Sequence, residues 1–455
     1  MTPLEYLKQN EKNRLDELFK FLQFPSVSAK SEHRQDMIDC ASWLKDHLVA
    51  IGFKAEICPT DGHPLIYGEY HAGPHLPTVL YYGHYDVQPP EPYDLWKSPP
   101  FQPEIRDGYI WARGSADDKG QLFTHVKGLE AVLKTTGTLP VNVKLLFEGE
   151  EEVHSAHLPG WIKKNKKMLK ADIAVVSDTG MFGPNLPAVT FGLRGIAAVE
   201  VFVYGPSRDV HSGTFGGAIA NPANILCELV AKLHDKNKLV CIPGFYEKVV
   251  PVTKFERQQF KKLPFNEKKY LKSLGISATH GEKGYTVFER SWSRPTCDVN
   301  GLTSGYQGEG AKTIIPSYAS CKITMRLVPN QEPMDICNKI EKYLLRIAPK
   351  SVRVKVDKHG GASAVVVPSE GPWLDAAARA IKAGFGKRPV FMKEGGSIPI
   401  VGDFKSILGL DTLLLGYCQS DDNIHSPNER FKLQDFERAC LTGAALPCEL
   451  AGVKH

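Results

Sequence analysis

The chain reads as an α/β protein, a mostly parallel sheet with flanking helices, interrupted by a smaller α+β domain. Three observations predict this. Short apolar, β-branched runs alternate with helix-period stretches, the pattern of parallel strands linked by helices. The texture changes near position 188 and changes back after Gly360-Gly361. Finally, the apolar runs of the first texture end in acids or histidine, and in parallel sheets ligands bind beyond the carboxyl ends of the strands.

Residues 4–24 place Leu4, Leu7, Leu15, Leu18, Phe19 and Leu22 at helical spacing and predict one amphipathic helix. A second helix is expected over 37–51, closed by Gly52, since glycine accepts the left-handed conformation that ends helices. Strands are expected at 78–82, 141–147 and 171–176, with helices at 118–134 and 158–169. The inserted part predicts a strand at 196–203 and a helix at 221–234 with Asn221 as N-cap and Pro222 in the first turn. A strand at 319–327 and a helix at 333–347 follow. The first texture then resumes with a helix at 373–385, a strand at 412–415 and a helix at 433–446. The expected organisation is a discontinuous domain, 1–188 with 362–455, holding an inserted domain at 189–361.

Composition narrows the class. At 455 residues the chain has room for two or three domains of roughly 100–200 residues. Hydrophobic residues at 42% and charged residues at 24% are ordinary for a globular protein and argue against disorder. The net charge of +5 is small, and the densest basic run, Lys163-Lys164-Asn165-Lys166-Lys167, reads as a solvated helix face. Without clustering or interleaved aromatics it does not suggest nucleic acid. Ten cysteines occur with no CxxC pair; Cys40, Cys227, Cys337 and Cys440 sit in apolar helical stretches, as reduced structural thiols do. No signal-peptide core follows Met1, and no run reaches the roughly 18–20 apolar residues of a membrane span. The expectation is a cytoplasmic protein with no membrane or nucleic-acid partner.

The chemistry gathers at the strand ends. In Tyr82-Gly83-His84-Tyr85-Asp86, alternation puts His84 and Asp86 on one face. Ala112-Arg113-Gly114-Ser115-Ala116-Asp117-Asp118-Lys119-Gly120 precedes a helix; adjacent acids there ordinarily cap it, which suits Asp118, while Gly114 and Gly120 permit unusual backbone beside Asp117. Phe147-Glu148-Gly149-Glu150-Glu151-Glu152 follows a buried-type strand. Paired glutamates serve hydrolases when one carboxylate binds metal and the next takes a proton from water. Asp178 ends the run Val175-Val176-Ser177, and His425 lies in a polar loop before the last helix. Singly, each has a bland reading. Together they supply a ligand trio for each of two metals with one carboxylate shared, as a two-metal hydrolytic site requires.

The motifs GHYDV, ARGSADDKG, EGEEE, SD, GLRG, DVHSG, GEGAKTIIP, ITMRLVP, EGGSIP and NIHSPNE occur in one order over nearly the whole chain. In this the sequence resembles the zinc peptidases that include carnosinase-like cytosolic dipeptidases, aminoacylases and bacterial glutamate carboxypeptidases. The resemblance implies a two-domain zinc-peptidase fold whose inserted domain is a lid and dimerisation domain. It implies that Asp117 bridges two divalent metals, zinc or alternatively manganese, with His84 and Asp178 completing one site and Glu152 and His425 the other. Glu151 would be the general base toward a metal-activated bridging water, and Asp86 would support the geometry beside His84. His211 would be donated across a homodimer to stabilise the oxyanion. Thr313, Arg326, His359 and Ser397 would contact substrate, Arg326 pairing with a peptide C-terminal carboxylate. Asp rather than Glu at 178 tilts the expectation to a dipeptidase. The alternatives are an N-acyl amino acid hydrolase or carboxypeptidase of the same family, and a catalytically silent dimeric binding protein.

One departure stands out. The family commonly carries a small Gly-Ser pair after the two glutamates, whereas here the run is Val153-His154-Ser155-Ala156-His157. His154 takes a glycine-like position, and a surface or outer role is expected of it. The segment Gly305–Thr313 only superficially resembles a phosphate loop: Ala311 stands where glycine must precede the lysine, and Pro316 disfavours a following helix.

Overall fold

The structure, a computed structural model, describes residues 1–396 and 398–453. It divides into two compact units, Met1–Phe191 with Val367–Met392 and Ile398–His455, and Gly192–Val366 with Lys393–Ser397. The division falls a few residues beyond 188 and 361, because the strand Ala188–Leu193 runs on from the first unit's sheet.

In the first unit, β1 (Thr78–His84), α1 (Lys119–Thr136), β2 (Asn142–Glu148), β3 (Ile173–Val176), β4 (Thr412–Gly416) and α2 (Leu433–Ala451) form the frame. The four strands lie in the order β2-β1-β3-β4 and all pair in parallel. The flanks are antiparallel: Leu65–Tyr70 pairs with β2, Lys54–Cys58 with that strand, and Ala188–Leu193 with β4. Neither Lys54–Cys58 nor Leu65–Tyr70 was expected, since their apolar runs are short and interrupted by charge or glycine. The central strands are apolar almost throughout because both sheet faces are covered. α1 is buried from Lys119 to Val132. It meets α2 backbone to backbone: a Cβ on Gly128 would stand 2.3 Å from the Gly443 carbonyl carbon, so only glycine fits this crossing.

Some boundaries differ from expectation. The first helix is two, Pro3–Gln9 and Glu11–Leu22, broken at Asn10 (φ −105°, ψ 20°), whose amide donates to Tyr6 O at 2.9 Å and competes with the helical ladder. The helix from Leu158 stops at Lys164, where Asn165 likewise turns back on the Trp161 carbonyl.

The second unit is built on four antiparallel strands, in the order Asp298–Ser304, Tyr318–Leu327, Gly195–Tyr204, Arg353–Ala362. Gly195–Tyr204 alternates buried and half-buried residues, the signature of a sheet with one covered face. Pro222–Ala231 and Pro333–Ile347 supply Leu226, Leu229, Ile336, Ile340 and Leu344 to its core. Asn221 caps the former through the Ala223 N–H, as its sequence indicates. The helices Lys254–Lys262 and Glu267–Leu274 went unforeseen, their composition being mostly charged.

Candidate metal centre

Parallel pairing sets the carboxyl ends of β1 to β4 along one rim. His84 is level with Glu148, Tyr82 with Val176, and Val176 with Leu414. His84 ends β1, Glu151 and Glu152 form a single turn just after β2, Asp178 follows β3, and His425 lies in the loop after β4. Asp117 arrives from the loop before α1. Gly114 there has φ 82°, and a Cβ on Gly120 would strike the Ser115 carbonyl oxygen at 1.9 Å. The peptide bond between Asp117 and Asp118 is cis.

The rim brings together two donor groups. His84, Asp117 and Asp178 form one, and Asp117, Glu152 and His425 the other, with donor atoms in each within 4.8 Å of one another. Asp117 divides its carboxylate between them: Oδ1 lies 3.1 Å from His84 Nε2, and Oδ2 lies 2.9 Å from His425 Nε2. His425 Nε2 is also 3.3 Å from Glu152 Oε2. The other face of His84 is fixed by the Asp86 carbonyl, 3.0 Å from Nδ1, which leaves Nε2 toward the acids. A third group, Glu17, His47 and Glu130, surrounds the Lys127 ammonium, which pairs with both glutamates, so a cation already occupies it.

Charge at the rim is unbalanced. Asp86, Asp117, Asp118, Glu151, Glu152 and Asp178 share it with two histidines. Burial alone would lower the His84 pKa, but Asp117 and Asp86 carry it well above the ordinary range. Hydrogen bonding to Asp117 and Glu152 pushes His425 up to about 10. Burial and the Asp117 charge raise Asp178. Burial, with Glu152 and Asp117 nearby, pushes Glu151 up to about 7. Glu152 Oε1 is buried without a hydrogen-bond partner among the described residues. Oxygen and imidazole donors in two trios, an orphaned carboxylate oxygen and excess negative charge fit two divalent cations of the zinc or manganese type.

A model of peptidase family M20/M25/M40 matches residues 80–447, which contain the whole rim. The chain belongs to this family. The Cys-Gly metallodipeptidase DUG1 of Candida albicans is 31% identical over 450 residues, 94% of this chain and 92% of that one. The human Beta-Ala-His dipeptidase is 30% identical over 393 residues, 85% of this chain and 78% of that one. Among solved structures, the M20 family metallo-carboxypeptidase Sso-CP2 from Sulfolobus solfataricus superposes with a TM-score of 0.86 at 32% identity, covering 97% and 99% of the two chains. Membership and the paired donor groups make this M20 chain a metallohydrolase.

Other expected site residues fall elsewhere. His211, Thr313, Arg326 and His359 all belong to the second unit and to neither donor group. His211 and Thr313 are neighbours: His211 pairs with Ile314, and the Ser212 N–H donates to Thr313 O at 3.0 Å. His211 is exposed, and its Nδ1 accepts from the Gly213 N–H at 3.0 Å, so in the neutral ring Nε2 carries the proton. Arg326 lines a cavity of about 740 Å³ together with Arg194. Burial and Arg326 lower the Arg194 pKa to about 10. His359 sits exposed at the bulge between Lys358 and Gly360 and does not line that cavity. Ser397 lies outside the described residues.

One expectation changes and another holds. Asp118 occupies the N-cap position of α1, but its carboxylate does not cap; it accepts from the His84 N–H at 3.3 Å. His154 is exposed, with φ 76°, and belongs to neither donor group. Its glycine-like position is a left-handed turn, which explains why a glycine would suit it. Sequence reading missed Gln88, whose amide donates to Glu152 Oε2 at 2.8 Å. It lies four residues after His84, and its type carries no ligand signal.

Proposed function

We propose that the chain is a metal-dependent dipeptidase acting with two zinc ions, or two manganese ions, per subunit. The observation that carries this reading is the Asp117 carboxylate, which offers one oxygen to each of two donor trios. Asp117 would bridge, His84 and Asp178 would hold one ion, and Glu152 and His425 the other. When bound, the cations supply Lewis-acid activation of water and of the scissile carbonyl. Glu151 takes the proton from the attacking water and delivers it to the leaving amine. Glu151 belongs to neither donor group, which leaves its carboxylate available for that exchange. Asp86 holds the Glu151–Glu152 turn and the His84 ring in register.

The inserted unit acts as lid and dimerisation domain, the rest as the catalytic domain. His211 of a partner subunit directs its Nε2 proton at the oxyanion, with Thr313 beside it. Arg326 pairs with the C-terminal carboxylate of the dipeptide, and Ser397 and His359 complete the substrate contacts. All ten cysteines are free, which suits the reducing cytoplasm, and no described helix is long and apolar enough to cross a membrane.

The test is a panel of dipeptides, N-acyl amino acids and longer peptides, assayed before and after chelation. The expected result is chelator-sensitive cleavage fastest on dipeptides. Absence of such cleavage on every dipeptide rejects the reading. The Sso-CP2 likeness supports a second reading, a carboxypeptidase, which faster turnover of longer peptides would establish.

A further inference from the structure

Glu429 is fully buried, and both of its carboxylate oxygens are spent on the loop that ends in Asp117. Oε2 accepts from Arg113 Nη1 at 2.7 Å and from the Gly114 N–H at 2.9 Å. Oε1 accepts from the Ala116 N–H at 2.8 Å and the Asp117 N–H at 3.1 Å. The Glu429 carbonyl takes the Ala112 N–H at 3.2 Å, and the next residues, Arg430–Lys432, pair as a strand with Tyr109–Trp111. Burial of a carboxylate is unfavourable unless charge and hydrogen bonds compensate it, and buried loop amides need acceptors. Here each requirement meets the other: an irregular loop with Gly114 at φ 82° gains its acceptors from one side chain.

That side chain lies four residues after His425. The two donor groups differ in how they are held. His84 ends a strand and Asp178 follows one, so the sheet ladder fixes them. His425 has φ 61°, is exposed, and belongs to no regular element. Asp117 also lies outside strand and helix.

We propose that Glu429 is a positioning residue that sets the distance between Asp117 and His425, and so builds the metal site these two share with Glu152. The proposal rests on the two-metal reading above. Glu429 touches neither substrate nor metal; it acts by tying the His425 loop to the Asp117 backbone. Replacing it with glutamine turns one acceptor oxygen into a donor facing donors, so half of the loop's anchors are lost while side-chain size is kept.

The experiment measures zinc per chain and zinc affinity, by dialysis and elemental analysis, in the wild type and in Glu429→Gln. Leu44→Ala, a core truncation in the helix Arg34–Ile51, serves as the control for general destabilisation. The wild type should hold two ions. Glu429→Gln should retain one tightly and bind the second at least about tenfold more weakly, the usual scale for removing support behind a metal ligand. Leu44→Ala should lower the melting temperature and keep both ions. Two ions bound with wild-type affinity in Glu429→Gln overturn the proposal, as does equal loss from Leu44→Ala. Fewer than two ions in the wild type reject the two-metal reading itself and the proposal with it. If Glu429→Gln does not fold, Arg113→Met/Glu429→Met removes both buried charges at similar volume, and the same readouts decide.

Discussion

The backbone N–H of Glu152 donates to Asp86 Oδ2 at 3.1 Å, and the N–H of Glu151 reaches Asp86 Oδ1 at 3.3 Å. Asp86 Oδ1 also stands 3.4 Å from His84 Nδ1. One buried carboxylate therefore orients a ring on one strand end and a turn on the next. Asp86→Asn replaces an acceptor with a donor facing an N–H, leaving one buried amide unpaired at a cost of about 1–3 kcal/mol. The expected outcome is a fall in kcat of roughly 10–100-fold, with metal weakened more than peptide KM. Steady-state kinetics with parallel metal analysis checks it; unchanged kcat would remove Asp86 from the supporting role.

Glu151 lies beside the donor groups and belongs to neither. Glu151→Gln keeps volume and removes only the proton acceptor. Metal content should stay at the wild-type level while kcat drops about 10²–10⁴-fold, the usual contribution of a general base. A variant that loses metal along with activity would mean that the carboxylate is a ligand.

What was legible in the sequence follows from what is local. The helix Pro333–Ile347 and β4 stand within a residue or so of their expected bounds, because periodicity and a proline start are local signals. The rim was legible because parallel strands must end together, so His84, Glu152 and Asp178 could be grouped without coordinates. The break at Asn10 depends on one side-chain amide that a helical pattern hides. Glu429 was invisible for a different reason: apart from the Arg113 guanidinium, its donors are main-chain N–H groups 312 to 315 residues away, and backbone donors leave no trace in residue types. Asp118 misled because an acid before a helix normally caps it, whereas here β1 lies close enough to take the carboxylate first.

His154 tests whether the loop beside Glu152 is strained by its non-glycine residue. The side chain is exposed and the backbone is left-handed, at φ 76°. His154→Gly relieves a conformation that costs an L residue about 1–2 kcal/mol, against a loss of similar order in unfolded-chain entropy. Stability should shift by less than about 1 kcal/mol, with activity and metal content kept, whereas His154→Val should destabilise by more. Urea unfolding of the three proteins gives the comparison. Loss of metal from His154→Gly would show that the imidazole contributes to the site.

His125 supplies a pH dependence with a definite sign. It lies on α1, fully buried, with Nε2 2.6 Å from Ser177 Oγ and its ring against Tyr81 and Tyr417. Burial lowers its pKa to about 3 from an ordinary value near 6.5. The folded protein thus keeps His125 neutral between these values, while the unfolded chain binds a proton there. Stability from this group is complete above about pH 6.5 and declines as pH falls, by up to roughly 1.4 kcal/mol per pH unit. Other groups titrate over the same interval, so the measurement is a difference: urea unfolding free energy against pH for the wild type and for His125→Gln, whose amide can still reach Ser177. The variant should be less stable near neutrality from imperfect packing, yet its stability should fall less steeply between pH 6 and 4, by nearly one proton's worth of slope. Parallel curves would mean that His125 is protonated in the folded protein, against its burial among Tyr81, Tyr417 and Ser177 with no carboxylate acting on it among the described residues.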